Sequence, residues 1–89
     1  MPEYRRMARF LIIDDHPLFR EALLSAISLA FADATAVEAR SINEALAALA
    51  ENPAFDLALL DLNMPGTRGF EGLSELRTQH PRLPVGVVP

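Results

Sequence analysis

Cysteine is absent from this 89-residue sequence. Disulfides and thiolate metal sites are therefore excluded, and a reducing cytoplasm is the default compartment. Lysine is absent too. All eight basic residues are arginines (Arg5, Arg6, Arg9, Arg20, Arg40, Arg68, Arg77 and Arg82), so no mechanism that needs a lysine ammonium is open to the chain as written. Long apolar runs are missing. No stretch approaches the ~18 uninterrupted apolar residues of a membrane span, so no membrane partner is expected. The apolar run after the basic start ends at once in Asp14-Asp15, where a secretory signal would continue to a small-residue cleavage site. Positive charge is in short supply. Twelve acids against eight bases leave a net charge of −4, a poor footprint for direct nucleic-acid binding.

What remains describes one small domain. Apolar residues make up 51% of the chain, too many for a disordered tail. Phe10-Leu11-Ile12-Ile13 is a continuous apolar run of the kind found in a strand covered on both faces. Pro17 suits the first turn of a helix, where its missing N–H costs nothing. Phe19, Leu23, Ala26, Ile27 and Ala30 then recur at helical spacing and form that helix's expected buried stripe. Asp33 falls in a turn, and residues 35–40 read as a second strand. Ser41-Ile42-Asn43-Glu44 has the form of a capping box. It opens a helix whose buried stripe is Ile42, Ala45, Leu46 and Leu49, ended by Asn52-Pro53. Leu57-Ala58-Leu59-Leu60 is a third strand, closed by Asp61, and Pro65-Gly66 marks a loop. A third helix opens near Gly69, with Phe70, Leu73 and Leu76 inward, and His80-Pro81 ends it. Residues 84–89 are a fourth apolar run. The order βαβαβαβ predicts an α/β fold, a doubly wound parallel sheet with helices on both faces.

Asp14, Asp15 and Asp61 carry the chemical signal. Each follows an apolar strand directly and so lies at a strand's carboxyl end, the edge at which open α/β sheets bind ligands. If the first and third strands are neighbours, the three carboxylates meet. Two carboxylates ~4 Å apart repel by roughly 4 kcal/mol at an effective dielectric near 20, so such a cluster takes up a proton or a cation. Oxygen donors favour a hard ion such as Mg²⁺. A single aspartate in such a place is as readily a helix cap or a strand end. An Asp pair after strand one together with an Asp after strand three is not so easily dismissed.

Leu11-Ile12-Ile13-Asp14-Asp15-His16-Pro17-Leu18-Phe19-Arg20-Glu21-Ala22-Leu23 and Leu59-Leu60-Asp61-Leu62-Asn63-Met64-Pro65-Gly66 resemble the motifs of response-regulator receiver domains of two-component signalling. The Asp-Asp-His-Pro segment is most similar to receivers joined to LuxR-type helix-turn-helix domains. The likeness runs from about residue 9 to residue 89. It implies the flavodoxin-like receiver fold with strand order 2-1-3-4, and residues 1–89 as a single partial receiver domain. It implies Asp61 as phosphoacceptor, with a sensor histidine kinase as the donor. It also implies Mg²⁺ held by side-chain oxygens of Asp15 and Asp61, by the Asn63 backbone carbonyl, and by Asp14 through water. Pro65 and Gly66 shape the loop that carries Asn63. Such a domain is a phosphoacceptor and not an enzyme in the usual sense.

Against that pattern the chain is short. Helix four, strand five and helix five are missing. Pro89 stands where the family has a hydroxyl residue, and the family's strand-five lysine has no counterpart. The expected consequences are truncation, Mg²⁺ binding better preserved than phosphorylation, and a homo-oligomer joined through the exposed strand-four edge of Val85, Val87 and Val88. DNA contact belongs to an output domain outside this chain. A phosphorylation-independent interaction module is the alternative function. A phosphatase-like hydrolase is weaker, because Asn63 stands where those enzymes generally carry a second acid. Among smaller signals, His16 reads as a loop residue at the pocket rim, with ligation the other reading. His80 reads as a helix end, Thr67 and Arg68 as solvated loop residues, with the lining of a phosphate entrance the other reading, Met64 as pocket wall and Phe19 as core. Leu18 stays open between core and a kinase-docking surface.

Overall fold

The computed structural model describes residues 8–64 and 70–88. Expectations that fall on Pro65, Gly66, Thr67, Arg68 and Pro89 lie outside the described residues. The elements alternate as β1 (Arg9–Ile13), α1 (Pro17–Ala30), β2 (Thr35–Ala39), α2 (Ile42–Glu51), β3 (Leu57–Asp61), α3 (Glu71–Gln79) and β4 (Val85–Val88). The sheet order is β2-β1-β3-β4 with every pair parallel. This is the flavodoxin-like arrangement expected, through strand four.

Crossover handedness explains the layers. The chain moves from β1 to β2 in one direction, then from β2 to β3 and from β3 to β4 in the other. Right-handed connections therefore place α1 on one face and both α2 and α3 on the opposite face. Residues alternate between faces along a strand. Leu11 and Ile13 of β1, with Ala58 and Leu60 of β3, pack under Ile42, Ala45 and Leu49 of α2 and Leu76 of α3. Phe10 and Ile12 point the other way and are also buried, as a strand covered on both faces requires. The Phe10 ring meets Phe31, just past α1, at 5.4 Å between centroids.

Two expected burials do not hold. The α1 stripe reaches the sheet only partly: α1 has no fully buried residue, and Phe19 is 37% exposed. Among the described residues α1 is the single helix on its face, so its flanks stay open, whereas α2 and α3 shield each other. Leu18 projects into solvent. Phe70 is not an inward helical residue. It precedes the first turn of α3 as the N-cap and is exposed.

The capping box forms with one change of partner. The Glu44 N–H donates to Ser41 Oγ at 3.1 Å, while Glu44 Oε1 accepts from the N–H of Arg40, at 2.8 Å, in place of that of Ser41. Ser41→Ala should therefore cost about 1 kcal/mol, lowering the unfolding midpoint by roughly 4–8 °C for a domain of this size. Thermal unfolding followed by circular dichroism reads the shift. An unchanged midpoint would mean that the cap contributes nothing.

Candidate functional site

The sheet places the acids. Ile13 of β1 is in register with Leu60 of β3, so Asp14 and Asp61, each one step further, stand side by side at the carboxyl edge. Strand order reverses between β1 and β3, which is where open α/β sheets form their ligand crevice. Asp14 is continuous with the sheet through its N–H, which donates to the Ala39 carbonyl at 2.9 Å. Asp15 starts the loop into α1, and His16 is the N-cap of that helix.

Asp14, Asp15, His16 and Asp61 each offer one ligand atom, and these atoms all lie within 4.8 Å of one another. Asp14 and Asp61 are the buried charged residues of the described chain. Asp14 Oδ1 accepts from the His16 N–H at 2.9 Å and from the His16 ring Nδ1 at 3.1 Å. Asp61 Oδ1 accepts from the Asn63 N–H at 2.9 Å. Asp14 Oδ2 and Asp15 Oδ1 are buried without a hydrogen-bond partner. His16 Nδ1 lies 3.1 Å from Asp15 Oδ1, close enough for attraction but outside hydrogen-bond geometry. Buried carboxylate oxygens without donors are costly, and a hard cation bound by oxygen satisfies them. The donor set thus fits a divalent ion.

Sequence reasoning missed two parts of this site. His16, read as a loop residue at the rim, is the N-cap of α1 and brings its ring Nδ1 to 3.1 Å from both Asp14 Oδ1 and Asp15 Oδ1. Arg20 braces the loop: its Nη1 donates to the Asp14 carbonyl at 2.9 Å and its Nε to Glu38 Oε1 at 2.8 Å. Arg20 lies off the apolar stripe of α1 one turn beyond His16, a placement that could have suggested a contact with the acid loop. Met64 packs into the hydrophobic core. A cavity of about 410 Å³, lined by Phe55, His80, Arg82 and Leu83 among others, lies at the opposite edge of the sheet and takes no part in the acid cluster.

The carboxylates around the His16 ring favour its charged form. Its pKa is raised above 6.5, first by the hydrogen bond to Asp14 and then by the charge of Asp15, against some desolvation. The sign follows from linkage. A raised folded-state pKa gives a stabilisation fully present below the unfolded value and lost as pH rises through the folded one. In buffer without divalent ions the ring protons should therefore titrate above 6.5 by NMR. A midpoint at or below that value would remove the Asp14 contact from the account.

Residues 10–88 match the family model described as the response regulator receiver domain. Over 82 residues the chain is 44% identical to the glycerol metabolism activator of Pseudomonas putida, covering 92% of this chain and 37% of that protein. Over 70 residues it is 49% identical to the nitrate/nitrite response regulator protein NarL of Escherichia coli K12, covering 79% of this chain and 32% of the relative. The chain thus spans about a third of the length of these relatives. Among solved structures, a LuxR family DNA-binding response regulator from Silicibacter pomeroyi superposes with a TM-score of 0.79 at 30% identity, covering 91% of this chain and 62% of that one. No described helix is long and apolar enough to cross a membrane.

Proposed function

Because the chain belongs to the response-regulator receiver domain family, we propose that its acidic pocket is a magnesium-dependent phosphoacceptor site with Asp61 as the acceptor. The observation that carries this reading is the convergence of three carboxylates around buried oxygens that lack donors. In the proposed reaction an Asp61 carboxylate oxygen attacks the phosphorus of a phosphohistidine on a sensor kinase. The new O–P bond forms as the N–P bond breaks, and the imidazole nitrogen leaves with the electron pair and takes up a proton. Asp15 and Asp61 would hold Mg²⁺ through side-chain oxygens, Asn63 through its backbone carbonyl and Asp14 through water, with Pro65 and Gly66 shaping the loop. When bound, the ion would supply positive charge to the clustered carboxylates and to the transferring phosphoryl oxygens.

Residues 1–89 would then be one receiver domain, acting in the cytoplasm and controlling a transcriptional output domain outside this chain. The DNA-binding LuxR family protein among its structural relatives supports that output. Receivers are phosphoacceptor signalling domains and not enzymes in the usual sense. Mg²⁺ binding draws on the ends of β1 and β3, which carry the acid cluster. The second reading is a phosphorylation-independent interaction module. Beryllofluoride separates the two. The phosphoacceptor reading expects magnesium-dependent ¹⁹F resonances of beryllofluoride bound at Asp61; free fluoride species alone would leave the interaction module.

The 89-residue chain is further proposed to self-associate through β4. Among the described strands β4 pairs only with β3, and Val87 is 45% exposed, so its free edge is a template for a second copy. Light scattering should report a dimer or larger species that Val87→Lys dissociates. A monodisperse monomer would contradict this.

A further inference from the structure

We propose that His16 is itself a ligand of the acidic centre, so that the centre takes first-row transition ions (Mn²⁺, Co²⁺, Ni²⁺ or Zn²⁺) through one imidazole nitrogen as well as Mg²⁺ through oxygen alone. The inference rests on the metal-binding part of the reading above and deepens it by naming a nitrogen donor and an ion class.

The spacing of the donor atoms carries the argument. Six donors around an octahedral ion with bonds of ~2.1 Å stand about 3.0 Å apart along each edge. His16 Nδ1 lies 3.1 Å from Asp14 Oδ1, 3.1 Å from Asp15 Oδ1 and 3.5 Å from Asp61 Oδ2. All three are close to edge lengths, so the nitrogen is spaced from Asp15 Oδ1 and Asp61 Oδ2, the two side chains that hold the ion directly in the reading above, as a neighbouring donor would be. A second observation points to a ligand. The Asp14 side chain is 1% exposed and its Oδ2 has no hydrogen-bond partner, a buried anionic oxygen that a cation would satisfy.

The chain holds the imidazole in place. The His16 N–H is tied to Asp14 Oδ1, and Pro17 follows with the restricted backbone of a first helical residue. The ring needs little rearrangement, and its largely open outer side leaves room to tilt. Magnesium prefers oxygen and gains little from a nitrogen donor, whereas imidazole suits the later first-row ions, whose affinities rise along the series to copper. His16 should therefore discriminate between ions, strengthening one class and leaving the other nearly unaffected.

The test is calorimetric titration of the wild-type chain, His16→Ala and His80→Ala with CoCl₂ and, separately, MgCl₂, at about pH 8, above the ordinary imidazole pKa. The wild-type chain should bind Co²⁺ at least about ten-fold more tightly than Mg²⁺, and His16→Ala should lose about that factor for Co²⁺. Its Mg²⁺ affinity should change by less than about three-fold, and His80→Ala should match the wild-type chain. Proton NMR with Co²⁺ should show His16 ring signals shifted by the paramagnetic ion. Equal Co²⁺ affinity in wild-type and His16→Ala, an equal loss in His80→Ala, or unshifted His16 ring signals would each overturn the inference. Mg²⁺ binding with Co²⁺ indifferent to His16 overturns the inference alone. Failure of both ions to bind overturns the pocket reading with it.

Discussion

Asp61→Asn should abolish incorporation of acid-labile phosphate from a small phosphodonor such as acetyl phosphate. The amide is nearly isosteric, so the fold should survive, but its oxygen is no longer an anionic nucleophile. Asp61 ends β3 beside Asp14 and is buried. The substitution also removes one negative charge from the cluster, and Mg²⁺ affinity should fall by about ten-fold, corresponding to about 1.4 kcal/mol. Intact-protein mass spectrometry and a metal titration on the same sample read the two effects. Continued phosphate uptake by Asp61→Asn would place the acceptor on another residue.

The second large effect is structural. Leu11→Ala should destabilise the domain by about 2–5 kcal/mol, the usual cost of emptying a leucine site that cannot collapse. Leu11 is fully buried in β1, between β2 and β3, at the centre of the core under α2. A domain of this size is stable by only about 5–10 kcal/mol, so the unfolding midpoint should fall by more than about 10 °C. Leu29→Ala is the control, because Leu29 is 90% exposed and its truncation removes almost no buried surface. Similar shifts for the two variants would contradict the packing described.

Much of this was legible in the residues. The β1 and β3 runs are apolar and end abruptly at aspartate, which fixes both the strands and the place of their carboxylates. Ser41 and Glu44 announce the start of α2. A doubly wound order then brings Asp14 and Asp61 together, because β1 and β3 are neighbours on topological grounds. The burial of α1 was less legible. Periodicity identifies an apolar stripe but not how much surface covers it, and Phe19 shows the difference. Phe70 failed for a related reason: it is one residue outside the helix it was assigned to, where the helical period no longer sets direction. His16 and Arg20 were under-read because polar side chains near a loop carry no periodic signal. Their roles come from three-dimensional contacts with Asp14, a backbone carbonyl and Glu38.

The central claim is that one ion-sized pocket joins the end of β1 to the end of β3. It is tested most directly by titrating Mg²⁺ into isotope-labelled protein and following the backbone amides by NMR. The amides of residues 14–16 and 61–63 should shift together along one binding curve. Shifts confined to either segment, or scattered over the surface glutamates with residue 61 unmoved, would contradict it.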